Sequence, residues 1–228
     1  MNKGVLYLVA TPIGNLGDVS FRAVEVLKSV DEIACEDTRH SKILLNHYGI
    51  QKPTVSYHNF SEKTRTPQIV EQLKQGKNVA LVSDAGTPGV ADPGYRLVQM
   101  AIQEGIRIES IPGPSAFLAA LSVSGLPTDR FVFEGFLPVK SGARRSKLLS
   151  LKNETRTVIF YESPHRLLKS LEAIRQTLGD IPIVVARELT KKFEEVLRKK
   201  TSEMIQEFSN KKIRGEFVLL FHLSNERH

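Results

Sequence analysis

The stretch 80–94, ALVSDAGTPGVADPG, decides how this chain of 228 residues folds. It completes an apolar run, Val79–Val82, that is typical of a short buried strand. Gly and Pro then recur through a loop that also carries two aspartates, and related loops follow two other apolar runs, ATPIGNLGD at 10–18 and SIPGPSA at 110–116. The sequence therefore predicts a site built from three loops rather than one isolated turn.

Apolar runs alternate with helical periodicity through the first half of the chain. Strands are predicted at Val5–Ala10, Glu32–Cys35, Thr54–Tyr57, Val79–Val82 and Ile106–Ile111. Stretches with apolar residues three or four positions apart separate these strands, which is the pattern of a parallel α/β sheet. Because ligands of open parallel sheets bind at the carboxyl ends of the strands, we expect the three loops to converge on one sheet edge.

The alternation of strands and helices begins again after the IPGPS segment at 111–115. A small-residue helix is predicted at Ser115–Ser124, and strands are predicted at Phe131–Phe133, Thr157–Tyr161, Ile183–Ala186, Glu195–Lys199 and Glu216–Leu223. The last strands lack long helical crossovers, so this sheet is expected to be partly antiparallel. The fold class is therefore α/β with two domains, 1–113 with a mainly parallel sheet and 114–228 with a mixed sheet.

Composition excludes several classes of protein. Hydrophobic residues make up 41% and charged residues 25% of the chain, which is ordinary for a globular protein with a core. No apolar run approaches the roughly 20 residues of a membrane-spanning helix, and Pro12 interrupts the N-terminal run, so neither a membrane span nor a signal peptide is expected. The single Cys35 excludes an internal disulfide and favours a cytoplasmic location. No Cys or His pair has ligand spacing, and no metal is expected.

Charge is divided unevenly between the two halves. Residues 1–129 hold 12 Lys and Arg against 13 Asp and Glu, a net −1, whereas residues 130–228 hold 20 against 12, a net +8. A basic half favours a polyanionic partner such as RNA, although a solvated lysine-rich surface is the alternative. KSGARRSK at 140–147 is predicted to open a basic helix. It is also predicted to be a mobile phosphate contact through Arg144, Arg145 and Lys147, or else an exposed linker.

The sequences of the loops restrict the chemical class of ligand that they could bind. GNLGD lacks the Gly-Lys-Ser/Thr of a Walker A loop, and it is not a G-x-G-x-x-G fingerprint. Glycine lets the backbone approach a ligand and proline stiffens the loop, so backbone N–H and C=O groups stay available for binding. Together with Asp84, such a loop suits an uncharged adenosine that carries a cationic tail, as in S-adenosylmethionine.

Seven segments, taken in order and spacing, resemble the tetrapyrrole methylase superfamily: LVATPIGNLGDVSFRAVEVL, EIACEDTRHSKILL, ALVSDAGTPGVADPG, SIPGPSAFLAALSVSGLP, VIFYESPHRL, VARELTKKFEEV and RGEFVLL. EDTRHS, SDAGTPG and FYESPHR resemble in particular its bacterial branch that methylates the 2′-hydroxyl of a cytidine in 16S ribosomal RNA. The resemblance implies a homodimer of two α/β domains, with S-adenosylmethionine bound in the cleft between the domains. It also implies the decoding region of the small ribosomal subunit as substrate.

The resemblance also implies cofactor contacts, residue by residue. In the predicted domain 1–113 they are Pro12, Ala85, Gly86, Thr87 and Val90, beside Asp84, and in the domain 114–228 they are Ser115, Ala116, Tyr161 and Ala186. Many members of the branch continue past the RGEFVLL strand into a helical tail, whereas this sequence ends at His228.

Methyl transfer to a ribose hydroxyl, a weak acid, needs a base or an electrostatic assistant. ACEDTRH at 34–40 follows the second strand, and we expect Asp37 or His40 near the acceptor and Arg39 on a phosphate. An equally open alternative is that Asp37 or Thr38 caps a helix whose Arg and His are solvated.

Further charged residues lie at strand ends in the second half. His165 and Glu216 are candidate catalytic residues and Arg166 a candidate RNA contact. Structural ion pairs at these strand edges are the competing interpretation.

Three functions remain open from the sequence. The first is S-adenosylmethionine-dependent 2′-O-methylation of ribosomal RNA. The second is C-methylation of a tetrapyrrole such as a precorrin or uroporphyrinogen, and the third is RNA binding without catalysis in the same fold.

Overall fold

The computed structural model describes residues 3–223, and the chain separates into two compact units between Ser115 and Ala116. The predicted boundary lies two residues earlier. Each unit is built around one five-stranded sheet. Within residues 3–223, no helix is long and apolar enough to cross a membrane.

The first unit alternates strands with helices. Its elements are β1 (Val5–Val9), α1 (Phe21–Ser29), β2 (Glu32–Cys35), α2 (Thr38–His47), β3 (Thr54–Ser56), α3 (Glu62–Lys74), β4 (Val79–Val82), α4 (Tyr95–Gln103) and β5 (Arg107–Ile111). The strand order is β3-β2-β4-β1-β5, and every pair is parallel. The structure therefore confirms the predicted parallel sheet.

The side chains of β1 pack into two different cores, one on each face of this sheet. Leu6 joins the core that contains Leu73 of α3 and Leu97 of α4, whereas Val9 joins the core that contains Leu27 of α1. The helix that follows β1 and the helix that follows β4 thus pack on opposite faces. Since β1 and β4 are neighbours, their loops diverge and leave a crevice at the carboxyl ends of the strands, where open α/β sheets bind ligands.

The second unit has a mixed sheet, as predicted. Its elements are α5 (Ala116–Ser124), β6 (Phe131–Phe136), α6 (Ser141–Ser150), β7 (Thr157–Glu162), α7 (Leu167–Leu178), β8 (Pro182–Arg187), β9 (Glu195–Lys200), α8 (Thr201–Ser209) and β10 (Phe217–Phe221). In the order β6-β7-β10-β8-β9, β6 and β7 are parallel and the other three pairs are antiparallel. Strand β10 therefore lies at the centre of its sheet, where all five of its residues are buried.

The basic segment 140–147 opens a helix, as predicted, and only one of its three predicted phosphate contacts is exposed. It enters α6, and Arg144 is only 8% exposed, with Nη1 donating to the carbonyl oxygens of Pro138 (3.5 Å) and Val139 (3.4 Å). The Lys147 ammonium forms an ion pair with Glu134. An arginine can bury its aliphatic stem while the guanidinium satisfies carbonyl oxygens, and the expectation of an exposed Arg144 is therefore wrong. Arg145 remains exposed.

A buried carboxylate organises the start of α7. The Glu162 side chain is fully buried and accepts hydrogen bonds from the Ser163 amide (2.8 Å) and the Ser170 hydroxyl (2.5 Å). Arg166 places Nε 3.4 Å from the same carboxylate and donates through Nη2 to the Leu137 carbonyl. The ESPHR motif therefore contains an ion pair that joins β7, α7 and the end of β6.

We expect Arg166→Ala to lower the free energy of unfolding by about 3 kcal/mol, because it leaves the buried Glu162 charge without its partner. Urea denaturation measures this change. The matched control is Arg156→Ala, which removes an ion pair between the exposed Arg156 and the partly buried Glu154 and should cost less than about 1 kcal/mol. Equal losses in the two variants would show that the Glu162–Arg166 pair has no special structural weight.

Candidate functional site

The loops after β1 and β4 are joined by backbone hydrogen bonds. The Thr11 amide donates to the Gly86 carbonyl (2.8 Å), and the Gly86 amide donates to the Thr11 carbonyl (3.0 Å). The Thr11 hydroxyl also donates to the Ser83 carbonyl at 3.1 Å. These bonds hold the two Gly- and Pro-containing loops side by side at the crevice between β1 and β4.

The loop after β5 closes onto the other two. The Thr87 hydroxyl donates to the Pro114 carbonyl at 3.5 Å, and a Cβ at Gly113 would lie 3.0 Å from Ala10 Cβ, so the backbones approach closely there. The structure confirms the predicted convergence of the three loops.

Gly86 stands where these loops meet. Its φ of +87° lies in the left-handed region that favours glycine, and a Cβ would lie 3.6 Å from both Ile13 Cγ2 and the Pro114 carbonyl oxygen. Gly89 in the same loop has a similar φ of +82°, but a Cβ there would meet nothing within 4 Å. A side chain at Gly86 would therefore enter the space between the loops, whereas one at Gly89 would point into the open.

Several backbone donors of these loops remain available. Among residues 3–223, the amides of Ala85, Thr87 and Ser115 have no hydrogen-bond acceptor. Asp84 precedes them, and its Oδ1 accepts from the Asp37 amide at 3.0 Å. The edge of the sheet thus offers N–H donors next to a carboxylate.

The other predicted cofactor contacts have different surroundings. Pro12 is buried beside Thr11, and Val90 is 36% exposed. In the second unit, Ala116 begins α5, and the Tyr161 hydroxyl in β7 accepts from the Phe117 amide at 3.3 Å. Ala186 lies in the interior of β8 and is fully buried, so its side chain presents no surface to a ligand.

Three carboxylates, Glu36, Asp84 and Asp92, interact electrostatically after the ends of β2 and β4. Glu36 Oε2 accepts from the Asp84 amide at 3.2 Å. Burial raises the pKa of the Glu36 carboxyl, and burial together with the charge of Glu36 raises the pKa of Asp92 to about 7. Sequence reasoning did not select Glu36 or Asp92 as site residues, although both follow neighbouring strands of the predicted sheet.

Asp37 takes the structural role that the sequence left open. Its Oδ1 accepts from the Arg39 amide (2.8 Å) and Arg39 Nε (3.1 Å), and its Oδ2 accepts from Nη2 (2.7 Å). These bonds hold the pKa of Asp37 far below its usual range, so this carboxylate is a poor proton acceptor at neutral pH. The Arg39 guanidinium is occupied by the cap of α2, and His40 is exposed in its first turn.

The candidates in the second unit lie at its strand ends. His165 is exposed in the turn between β7 and α7. Glu216 pairs with Lys191 Nζ at 2.8 Å, and its backbone amide donates to Glu188 Oε1 at 3.0 Å. Ion pairing at these edges, the competing interpretation, describes Glu216. Within the described part of the chain, no group of three or more His, Cys, Asp or Glu side chains could hold a metal ion.

Comparison with known proteins gives consistent matches. Residues 5–205 match the family described as Tetrapyrrole (Corrin/Porphyrin) Methylases. The chain is 50% identical over 221 residues to Ribosomal RNA small subunit methyltransferase I of Haemophilus influenzae, covering 95% of this chain and 78% of that protein. It is 48% identical to the protein of that name from Thermotoga maritima, covering 95% and 97%.

Solved structures share the fold at lower identity. Diphthine synthase superposes with a TM-score of 0.77 at 16% identity, covering 96% of this chain and 90% of that one. Cobalt precorrin-4 methyltransferase superposes with a TM-score of 0.71 at 20% identity, covering 95% and 93%. These likenesses establish the fold and leave the substrate to other evidence.

The raised pKa of Asp92 has a consequence for stability. Because the folded state holds this proton up to about pH 7 and an ordinary aspartate loses it near pH 3.8, the contribution of Asp92 to stability is lost as pH rises towards 7. Asp92→Asn cannot ionise, so its melting temperature relative to the native protein should rise from about pH 5 to about pH 8. Calorimetry across this range tests it, with Asp129→Asn, at an exposed carboxyl, as control. A difference independent of pH would contradict the assignment.

Proposed function

Because the chain belongs to the tetrapyrrole (corrin/porphyrin) methylase family, we propose that it transfers the methyl group of S-adenosylmethionine to the 2′-hydroxyl of a cytidine in 16S ribosomal RNA. Methyltransferase activity and S-adenosylmethionine as donor follow from the family. The RNA substrate is carried by one observation: relatives that share half of the residues are named for ribosomal RNA, whereas the precorrin methyltransferase shares a fifth. A cytoplasmic homodimer is part of the same proposal.

The loop edge of the first unit fits this donor. The free amides of Ala85, Thr87 and Ser115 would bind acceptor atoms of the adenine and of the amino-acid carboxylate, and Asp84 would bind the ammonium or a ribose hydroxyl. Gly86 leaves the space between the loops unfilled. When bound, S-adenosylmethionine supplies a methyl group that its sulfonium already activates.

The acceptor hydroxyl must lose its proton as the new bond to carbon forms. A base works best when its pKa lies near the working pH, and Asp92 meets this condition with a pKa of about 7, whereas Asp37 does not. We therefore assign proton transfer to the Glu36–Asp92 group of carboxylates and keep His40 as the alternative. His165, exposed in the second unit, remains a candidate catalytic residue.

The decisive experiment supplies labelled S-adenosylmethionine with small ribosomal subunits, naked 16S rRNA or uroporphyrinogen. We expect label in RNA, and digestion to nucleosides should yield 2′-O-methylcytidine. Label in the macrocycle would establish the tetrapyrrole function instead. RNA binding with no transfer to any substrate would establish the non-catalytic alternative.

Gly86→Val should weaken S-adenosylmethionine binding by at least about tenfold, because the added side chain would occupy the space between the three loops. Isothermal calorimetry measures the affinity. Gly89→Val is the matched control, since it carries the same left-handed strain in the same loop but extends into open space. Equal affinities in the two folded variants would place the cofactor elsewhere.

Arg145 is the one of the three predicted cations in 140–147 that stays exposed, and no ion pair within residues 3–223 occupies it. Arg145→Ala should weaken RNA binding and reduce the slope of log affinity against log salt by about 0.7, the value of one phosphate contact to single-stranded RNA. S-adenosylmethionine affinity should not change. Filter binding across a salt series tests this, with Arg156→Ala as control, and an unchanged slope would show that Arg145 is only solvated.

A further inference from the structure

The end of β6 contains an irregularity that redirects one aromatic side chain. Phe133 pairs with Ile159 of β7 and Phe136 pairs with Tyr161, so three steps along β6 match two along β7. Gly135 within this bulge has a φ of +63°, and a Cβ there would meet nothing within 4 Å. Glycine is therefore favoured at position 135 by its left-handed backbone conformation and not by a lack of space for a side chain. The bulge places Phe136 on the same face as Phe133, which strict alternation would not do.

The redirected ring ends a row of aromatic side chains, which we call the aromatic row. Phe117 of α5 stacks on Phe133, with ring centroids 4.6 Å apart and planes 18° apart. The Tyr161 ring meets Phe133 edge-on at 4.8 Å and Phe136 edge-on at 5.7 Å. Phe136 is 52% exposed, so the last ring of the row projects from a packed base.

Two arginines donate hydrogen bonds to the backbone of the segment that follows Phe136. Arg166 donates to the carbonyl of Leu137, and Arg144 donates to the carbonyls of Pro138 and Val139. Leu137 is 1% exposed and is part of the core of the second unit. Three successive carbonyls and one core side chain therefore fix this segment, and Phe136 is presented on a rigid support.

The segment that follows the exposed ring in the chain carries exposed cations. The segment 136–147 contains no Asp or Glu, and Lys140 and Arg145 are exposed and have no ion-pair partner within residues 3–223. His165 is exposed in the turn that Arg166 connects to Leu137. A projecting ring followed in the chain by exposed cations suits a nucleobase and its phosphates, because bases stack on aromatic side chains while cations bind the backbone.

We propose that Phe136 stacks on an unpaired base of the RNA substrate. This inference rests on the proposed function and specifies how that substrate is held. A planar ring stacks on the π-face of any base, so this contact adds affinity and positions the strand, and it leaves sequence choice to other contacts.

The test compares Phe136→Ala, Phe136→Leu and Phe136→Trp in the full chain, with naked 16S rRNA as the probe. Stacking on one base is worth about 5- to 150-fold in affinity, so the Ala variant should lose that much. The Leu variant keeps apolar bulk without a π-face and should resemble Ala, whereas Trp should retain native affinity. The salt slope should not change in any of them, because no charge is removed.

Phe193→Ala is the matched control, because Phe193 is 67% exposed in the same unit and lies beside Lys192, 5.7 Å from the ring centroid. We expect native RNA affinity in this variant. S-adenosylmethionine affinity and molecular mass in solution are measured for every variant and should stay unchanged.

The outcomes separate this inference from the function on which it rests. If the native protein methylates no RNA, the proposed function fails. If it does methylate RNA and Phe136→Ala or Phe136→Leu binds as tightly as the native protein, stacking is refuted and the function stands. Loss of cofactor affinity or a change of mass in Phe136→Ala would also refute the inference, because the ring would then serve the cofactor or a contact between chains.

Discussion

The pair of hydrogen bonds between Thr11 and Gly86 is the constraint on which the candidate site depends. Their 2.8 Å and 3.0 Å lengths join two loops whose helices pack on opposite faces of the first sheet. Without this bridge the loops after β1 and β4 would diverge with their helices. With it, the amides of Ala85 and Thr87 are held at one edge, and Gly86 keeps the space beside them open. Pre-organised donors of this kind bind a ligand without a further ordering cost.

Two arginines of the second unit have a structural role, whereas the sequence predicted that they contact RNA. Arg144 and Arg166 belong to stretches that resemble RNA-binding segments, yet both guanidinium groups bind backbone carbonyls of the segment that follows β6. Arg166 also balances the buried Glu162 charge. These residues support the surface on which Phe136, Lys140 and Arg145 are exposed. The two segments thus contain residues that stabilise the fold as well as residues that stay exposed.

The two units contribute complementary electrostatics. In the first, burial raises the pKa of Glu36, and burial together with the charge of Glu36 raises the pKa of Asp92 to about 7. In the second, exposed cations near β6 favour a phosphate backbone. A methyl transfer to a ribose hydroxyl requires both properties: a group that receives a proton, and a surface that holds a polyanion.

Sequence alone determined the α/β class, both sheets and the three loops, because strand and helix periodicities and the turn preferences of Gly and Pro are local properties. It also selected Asp84 and Gly86 as candidate cofactor contacts. Tertiary structure decided which charges stay free: Arg144 and Arg166 bind carbonyls, and Arg145 remains exposed. It likewise decided the pKa of Asp92 and the direction of Phe136. Burial, charge pairing and strand register depend on neighbours that are remote in the chain, and no local pattern encodes them.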